Sequence, residues 1–179
     1  MANADYYIQK LELISHVEGG AFKETYRSAL SLSQKHLPAE FRGDRNASTA
    51  IYFLLKHRQF SALHKIAADE LWHFYDGDAL CIYEITVNGE LKKHLLGKNL
   101  ENGESFQCLI KAGSWFGSRC EVADGFSLVG CTVAPGFDFD DFILAERMEL
   151  CEAYPQHRHL INELTTDNII SFSPPSIHL

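Results

Sequence analysis

Several features are missing from this sequence, and each absence narrows its class. Nowhere in the 179 residues does an apolar run approach the roughly 18 residues that a membrane helix needs, so no membrane partner is expected. The opening MANADYYIQK has no basic stretch followed by an apolar one, which argues against a secretory signal peptide. The five cysteines, Cys81, Cys108, Cys120, Cys131 and Cys151, are odd in number and scattered, with no C-x-x-C pair. A cysteine zinc site and a disulfide framework are therefore both unsupported, and buried thiols in a cytoplasmic protein are the expectation. Basic charge is also scarce: 16 Lys and Arg face 24 Asp and Glu, a net charge of −8. Nucleic-acid binding needs a basic surface, so no nucleic-acid partner is expected. From Pro135 onward eight acidic residues stand against two arginines, a pattern that fits a solvated acidic face. There is no internal repeat, linker or low-complexity segment, which points to one domain over residues 1–179.

What is present reads mainly as strand. Tyr7, Leu11 and Ile14 recur at i, i+4, i+7 and predict a short N-terminal helix ended by Gly19-Gly20. "AFKETYRS" then alternates like a strand, and residues 29–47 read as a polar loop of unusual length. Between Ser48 and Val133, the segments "STAIYFLL", "SALHKI", "LWHFY", "ALCIYEITV" and "FSLVGCTV" are short and rich in β-branched and aromatic residues. Asp76-Gly77, Asn88-Gly89 and Asn102-Gly103 punctuate them as hairpin signals. No helical pattern of 10–15 residues intervenes, so the core is all-β and antiparallel, at about residues 20–134. After Pro135-Gly136, Leu144, Met148 and Cys151 predict a helix that Tyr154 extends and Pro155 stops; Leu160, Ile161 and Leu164 predict a second. This helical extension, at about 141–166, is expected to pack outside the β core.

The chemistry-bearing stretch is "SALHKIAADELWHFYDGDAL" (61–80). Strand side chains alternate faces, so Glu70, Trp72 and Phe74 share one face while His73 falls on the other unless a bulge intervenes. His64 sits on an earlier strand, and a hairpin that folds it back over Glu70 would make the two converge. Tyr52, Trp72, Phe74 and Trp115 are candidates for an apolar stacking wall; plain core packing is the competing reading for each. Arg27 and Glu24 in "KETYRS" either hold an anionic group or pair across strands. The "HRH" at 157–159 matches H-x-H but falls at a helix start in the acidic tail and needs no metal role. The Asp residues of "PGFDFDDF" are not followed by the glycine and terminal glutamate of a calcium loop, and the stretch reads as an acidic, aromatic flap.

The spacing H-x(5)-E-x(6)-G, carried by His64, Glu70 and Gly77, resembles the first conserved motif of the cupin superfamily, in which two histidines and a glutamate bind metal. Here Ile66 stands at the second histidine. "IKAGSWFGSR" resembles the second motif, with Lys111 at its proline, Gly113 at its glycine and Phe116 where the metal-binding histidine belongs. "HVEGGAFKETYRS" (16–28), "STAIYFLL" (48–55), "DELWHFYDGD" (69–78) and "LVGCTVAPGFDFDDFILA" (128–145) are similar to the cupin-5 family of small proteins of unknown function. The resemblance covers essentially the whole chain. It implies a double-stranded β-helix, or jelly-roll barrel, usually a homodimer, with dTDP-sugar epimerases among its structural relatives.

Two of the four usual cupin ligands are replaced by side chains that cannot coordinate, so neither a metal nor another cofactor is expected. The reading that follows is a cupin with a small-molecule pocket inside the barrel, acting as an isomerase or epimerase on a sugar-like carbonyl compound. His64 and Glu70 carry the acid–base chemistry, while His73, Tyr52, Trp72, Phe74, Trp115, Phe116, Arg27 and Glu24 contribute to ligand binding. Two alternatives stay open: a noncatalytic small-ligand-binding cupin, and a metal-dependent cupin oxygenase in which His73 joins His64 and Glu70 through a bulge.

Overall fold

A computed structural model describes residues 3–166. The chain opens with helix α1 (Ala4–Lys10), capped by the Asn3 side chain on the Tyr6 amide at 2.8 Å. It continues through β1 (Ile14–Ser15), β2 (Ala21–Arg27), a small ribbon of β3 (Ser31–Leu32) and β4 (Arg45–Asn46), then β5 (Thr49–Lys56), β6 (Phe60–Lys65), β7 (Asp69–Gly77), β8 (Leu80–Ile85), β9 (Leu91–Leu96), β10 (Gln107–Ile110), β11 (Trp115–Cys120), β12 (Phe126–Ala134) and β13 (Ile143–Leu144). Helices α2 (Arg147–Ala153) and α3 (Arg158–Glu163) follow. Among the described residues no helix is long and apolar enough to cross a membrane.

Two antiparallel sheets face each other. One has the order β1-β2-β5-β12-β7-β10 and the other β13-β6-β11-β8-β9. From β5 to β12 the chain passes from sheet to sheet at nearly every step, and only β8 and β9 are sequence neighbours within one sheet. That winding is the all-β jelly roll. It also decides which turn signals close hairpins. Asn88-Gly89 joins the paired strands β8 and β9, whereas Asp76-Gly77 and Asn102-Gly103 carry the chain between sheets. The glycines at all three turns have positive φ, so the local turn chemistry is as the sequence suggests while its topological use differs.

The main core lies between the sheets. Phe53, Trp72 and Phe116 are almost fully buried, with Trp72 edge-on to both rings at 6.0 and 6.4 Å. Each such side chain contributes roughly 1.5–3 kcal/mol relative to exposure. A second cluster forms on the outer face of the five-stranded sheet, where Leu150, Cys151, Leu160, Ile161 and Leu164 of the C-terminal helices cover Leu63, Cys81, Tyr83 and Ile85. A third packs α1 through Tyr7, Ile8 and Leu11 on Leu54 and Leu128.

Three local expectations are corrected. The first helix ends at Leu11, and Ile14 is an exposed β1 residue; the Gly19-Gly20 pair serves another purpose, described below. In α2 the buried face is Leu150 and Cys151, with Met148 pointing to solvent. The polar loop at 29–47 contains the β3–β4 ribbon, whose Arg45 is buried. All five cysteines are free and buried.

Candidate functional site

Between the sheets, at the edge of the main core, lies a cavity of about 50 Å³, room for a few waters or a compact ligand. Its polar wall is built by His16, Glu18, Glu24, Thr49, His64, Glu70 and Cys131. Its apolar wall comes from Phe22, Ile51, Ile66, Val133, Phe137 and Phe139. His64 and Glu70 approach it from opposite sheets, on β6 and β7, so they meet across the sandwich rather than within a hairpin.

The partner of His64 is Glu18, which the motif reading did not single out. His64 Nδ1 lies 3.0 Å from Glu18 Oε2 and 2.7 Å from the Ala62 carbonyl oxygen. Both neighbours are acceptors, so the proton resides on Nδ1, and Nε2 is the nitrogen left to serve the cavity. Phe116 packs against the ring at 4.1 Å and Phe142 at 5.2 Å between centroids, fixing its plane. Glu18 reaches this place because of the glycine after it. Gly19 has φ of +112°, and a Cβ there would fall 2.0 Å from the Phe60 carbonyl oxygen. Only glycine lets the segment lie this close to β6, where the Glu18 carbonyl also accepts from the Ala62 amide at 2.7 Å.

The three buried ionisable groups at the centre differ in state. Burial pushes Glu18 up, but the facing His64 and His16 outweigh it and hold this carboxyl below its usual range. Burial alone would lower His64; the Glu18 charge and hydrogen bond overcome that and raise it. Glu70 goes the other way. Burial raises it, the His64 cation pulls against this, Glu18 adds repulsion, and the net result is about 7. One cavity thus holds an ionised Glu18 bound to His64, whose charged form it favours, beside a Glu70 carboxyl raised to about 7. His16 accepts the Glu18 amide on Nδ1 at 3.3 Å and stacks edge-on to Phe22 at 4.5 Å. Burial, first of all, lowers its pKa, so it is a neutral imidazole. Burial and the neighbouring Glu70 carry the Cys131 thiol well above its ordinary value, which leaves it protonated and a poor nucleophile.

The "PGFDFDDF" flap closes one side. Phe137 and Phe139 line the cavity, and residues 135–142 are tied down at several points. Arg27 Nη1 donates to the Phe137 carbonyl at 3.2 Å, Thr49 Oγ1 accepts the Phe137 amide at 2.9 Å, and Arg45 grips Asp141 with two bonds at 2.6 and 2.7 Å. Arg45 and Asp141 are both buried. This bidentate pair is why the residue 29–47 segment matters: it anchors the flap.

The other sequence candidates divide cleanly. Glu24 lines the cavity, with Arg27 behind it on both carboxylate oxygens at 2.9 and 2.8 Å; the two pair along the same strand, three residues apart, rather than across strands. Phe116 supports His64 from the core. Trp72 and Phe74 are core residues near the site but not on its wall. Three candidates lie elsewhere. Tyr52 is on the outer face of the six-stranded sheet, edge-on to Tyr75 at 5.7 Å. Trp115 belongs to the cluster under the C-terminal helices, with Lys65 over its ring at 4.7 Å. His73 is also on an outer face, bonded to Thr132 Oγ1 and Gln107, each at 3.0 Å. A bulge does occur in β7, but opposite Leu128 and Val129, beyond His73, so it cannot turn this ring inward. His157 bonds the Gly89 carbonyl and His159 faces Glu163 across one helical turn.

A metal of the cupin type does not fit this donor set. Ile66 and Phe116 occupy two ligand positions, Phe116 packs directly on the His64 ring, and His73 points away. Among the described residues no group of three or more His, Cys, Asp or Glu is arranged to hold a metal ion.

With this geometry in hand, similarity to known proteins is informative. The family described as Cupin superfamily (DUF985) matches residues 5–145. A solved structure from Shewanella oneidensis is 43% identical and superposes with a TM-score of 0.83, covering 94% of this chain and 100% of that one. A hypothetical protein from Leishmania major is 32% identical with a TM-score of 0.85, covering 93% and 100%. An uncharacterized protein of Saccharomyces cerevisiae is 32% identical over 147 residues, 75% of this chain and 71% of that one.

Proposed function

Because the chain belongs to the cupin-5 (DUF985) family of the cupin superfamily, whose fold supports many functions and dictates none, we propose its activity from the cavity alone. It is an isomerase- or epimerase-like enzyme that enolises a sugar-like carbonyl compound. The observation that carries this reading is geometric: in one cavity His64 Nδ1 is held by Glu18 at 3.0 Å, leaving Nε2 for a ligand, while Glu70 lines the same cavity from the opposite sheet and is pushed up by burial to about 7. Two titratable groups held in different states are what proton transfer at neutral pH requires.

In this proposal the roles are as follows. Ionised Glu70 takes the proton from the carbon next to the carbonyl. His64, cationic and oriented by Glu18, donates from Nε2 to the carbonyl oxygen as negative charge develops there. The carbon–hydrogen bond breaks, its electron pair forms the enediol, and return of a proton to either carbon or either face completes isomerisation or epimerisation. Since Glu18 orients the ring, Glu70 is free to act as the base. Loss of either His64 or Glu70 should therefore cost about the same, roughly 10²–10⁴-fold, the usual contribution of a positioned acid or base.

Incubation of ketoses and aldoses in deuterium oxide tests this. Deuterium should enter the carbon next to the carbonyl, and His64→Asn and Glu70→Gln should each slow that exchange by the stated factor. A ligand that binds tightly to the unmodified protein without exchange, and binds both variants as well, would favour noncatalytic ligand binding, a reading that the apolar share of the wall supports.

Two further properties belong to this proposal. The free thiols suit a reducing, cytoplasmic compartment. A homodimer is favoured by the outer edge of β2, where β1 pairs only with Ala21 and Phe22 and leaves the stretch around the exposed Tyr26 open to a second copy.

A further inference from the structure

The acid–base reading leaves the charge and size of the substrate undetermined, and the cavity wall bears on both. No lysine or arginine lines it among the described residues, whereas three glutamates do. Two of these already have a cation: Glu18 has His64 at 3.0 Å, and Glu24 has Arg27 on both oxygens. Arg27 is the basic side chain bound to the wall from behind, and it is fully engaged. Its Nε and Nη2 serve Glu24, and its Nη1 serves Asn46 Oδ1 at 2.9 Å and the Phe137 carbonyl at 3.2 Å. His16 supplies no charge, because its Nδ1 accepts the Glu18 amide. Every positive charge at the wall is thus matched, and Glu70 is a carboxyl without a cation of its own.

A phosphate or carboxylate entering such a space would lose its hydration and find no counter-charge, beside groups of its own sign. A hydroxyl or carbonyl group, by contrast, meets donors and acceptors it can use: the His64 ring, the Glu70 carboxyl and the Thr49 side chain. Size points the same way. The enclosed space is about 50 Å³, walled on one side by the pinned phenylalanines of the flap, which favours a compact group at the His64 and Glu70 end.

We infer that the substrate is a compact, uncharged hydroxy-carbonyl compound, a free short-chain sugar or its like, and that phosphorylated, carboxylate-bearing and nucleotide-linked sugars are excluded by the all-paired cation inventory of the wall. This rests on the acid–base reading for the carbonyl and on the wall alone for the absence of charge.

The test uses matched pairs on the full chain at pH 7.5: dihydroxyacetone against dihydroxyacetone phosphate, glyceraldehyde against glycerate, xylulose against xylulose 5-phosphate. Binding is followed by shifts of the His64 ring signals in nitrogen-15 NMR, which report occupancy of this cavity without requiring turnover. The neutral member of at least one pair should bind with at least roughly tenfold higher affinity than its anionic partner, the scale set by burying an unpaired charge. Glu70→Gln, which removes the unmatched carboxyl, should narrow that ratio. Anions that bind as well as or better than their neutral partners would overturn the inference, as would binding by no neutral member. Anion binding that disappears in Arg27→Gln would do so as well, because it would show Glu24 yielding its arginine to the ligand. Neutral selectivity without deuterium exchange leaves the wall argument standing and defeats the acid–base reading, so the two failures are separable.

Discussion

Glu70 shows how much a single side chain can carry and how it can be tested apart from any substrate. Its carboxyl is buried, and burial, opposed by His64 and reinforced by Glu18, lifts it from 4.5 to about 7. A carboxyl whose folded pKa is raised binds its proton more tightly in the native state. Stability therefore falls as pH rises from about 4.5, where the unfolded chain ionises, to about 7, and the full penalty persists above that. The shift corresponds to about 3 kcal/mol. Glu70→Gln should accordingly gain stability relative to the unmodified protein by up to that amount between pH 5 and pH 8, whatever the amide costs in packing. Urea unfolding at the two pH values checks it, and an unchanged difference would show that Glu70 is not held protonated. At this scale the sequence was legible where strand alternation applied: Glu70 and Trp72 face inward and His73 outward. Glu18 was not legible as a partner, because its role depends on a loop crossing β6. The signal was present in the "HVEGG" segment, but only as part of a family likeness. Tyr52 and Trp115 were misplaced for a related reason: aromatic residues also cover outer sheet faces, and composition does not tell which face is roofed by helices.

At the scale of elements, two irregular segments complete the site. The turn bearing Glu18 and the flap from residue 135 to 142 are both held by specific contacts, Gly19 against β6 and Asp141 against Arg45. Gly19→Ala must move the backbone, since its Cβ would fall 2.0 Å from a carbonyl oxygen at a φ of +112°. The expected cost is at least about 1–3 kcal/mol, together with a lower His64 pKa as Glu18 withdraws. Thermal unfolding and a His64 NMR titration read the two effects. Loss of stability with an unaltered His64 titration would mean that Gly19 serves the fold but not the Glu18–His64 pair. The strands themselves were readable as segments, because alternation and β-branched content are local. Their assignment to sheets was not: Asp76-Gly77 and Asn102-Gly103 look like hairpin turns, yet they join strands of different sheets. A turn fixes the reversal of the chain, whereas pairing partners are chosen by long-range packing.

For the whole molecule, the jelly roll places a small cavity bearing three buried ionisable groups between its sheets, and its charges are nearly balanced inside a chain of net charge −8. Dimer formation through the open edge of β2 is expected to give a particle of twice the 20.2 kDa chain mass in sedimentation at micromolar concentration; a monomer would exclude that edge as an interface. The cupin fold could be read from the order of motifs along the chain, but the loss of the metal set followed from two positions, Ile66 and Phe116. The proposed acid–base chemistry depends on residues brought together from β6, β7 and the loop before β2. The central claim is the division of protonation between the two glutamates, and it is tested most directly by following their side-chain carboxyl carbons in a carbon-13 NMR titration of the unliganded protein. The predicted result is a Glu18 carboxyl already ionised below the ordinary glutamate range and a Glu70 carboxyl that ionises near 7. Two carboxyls titrating together near 4.5 would contradict it.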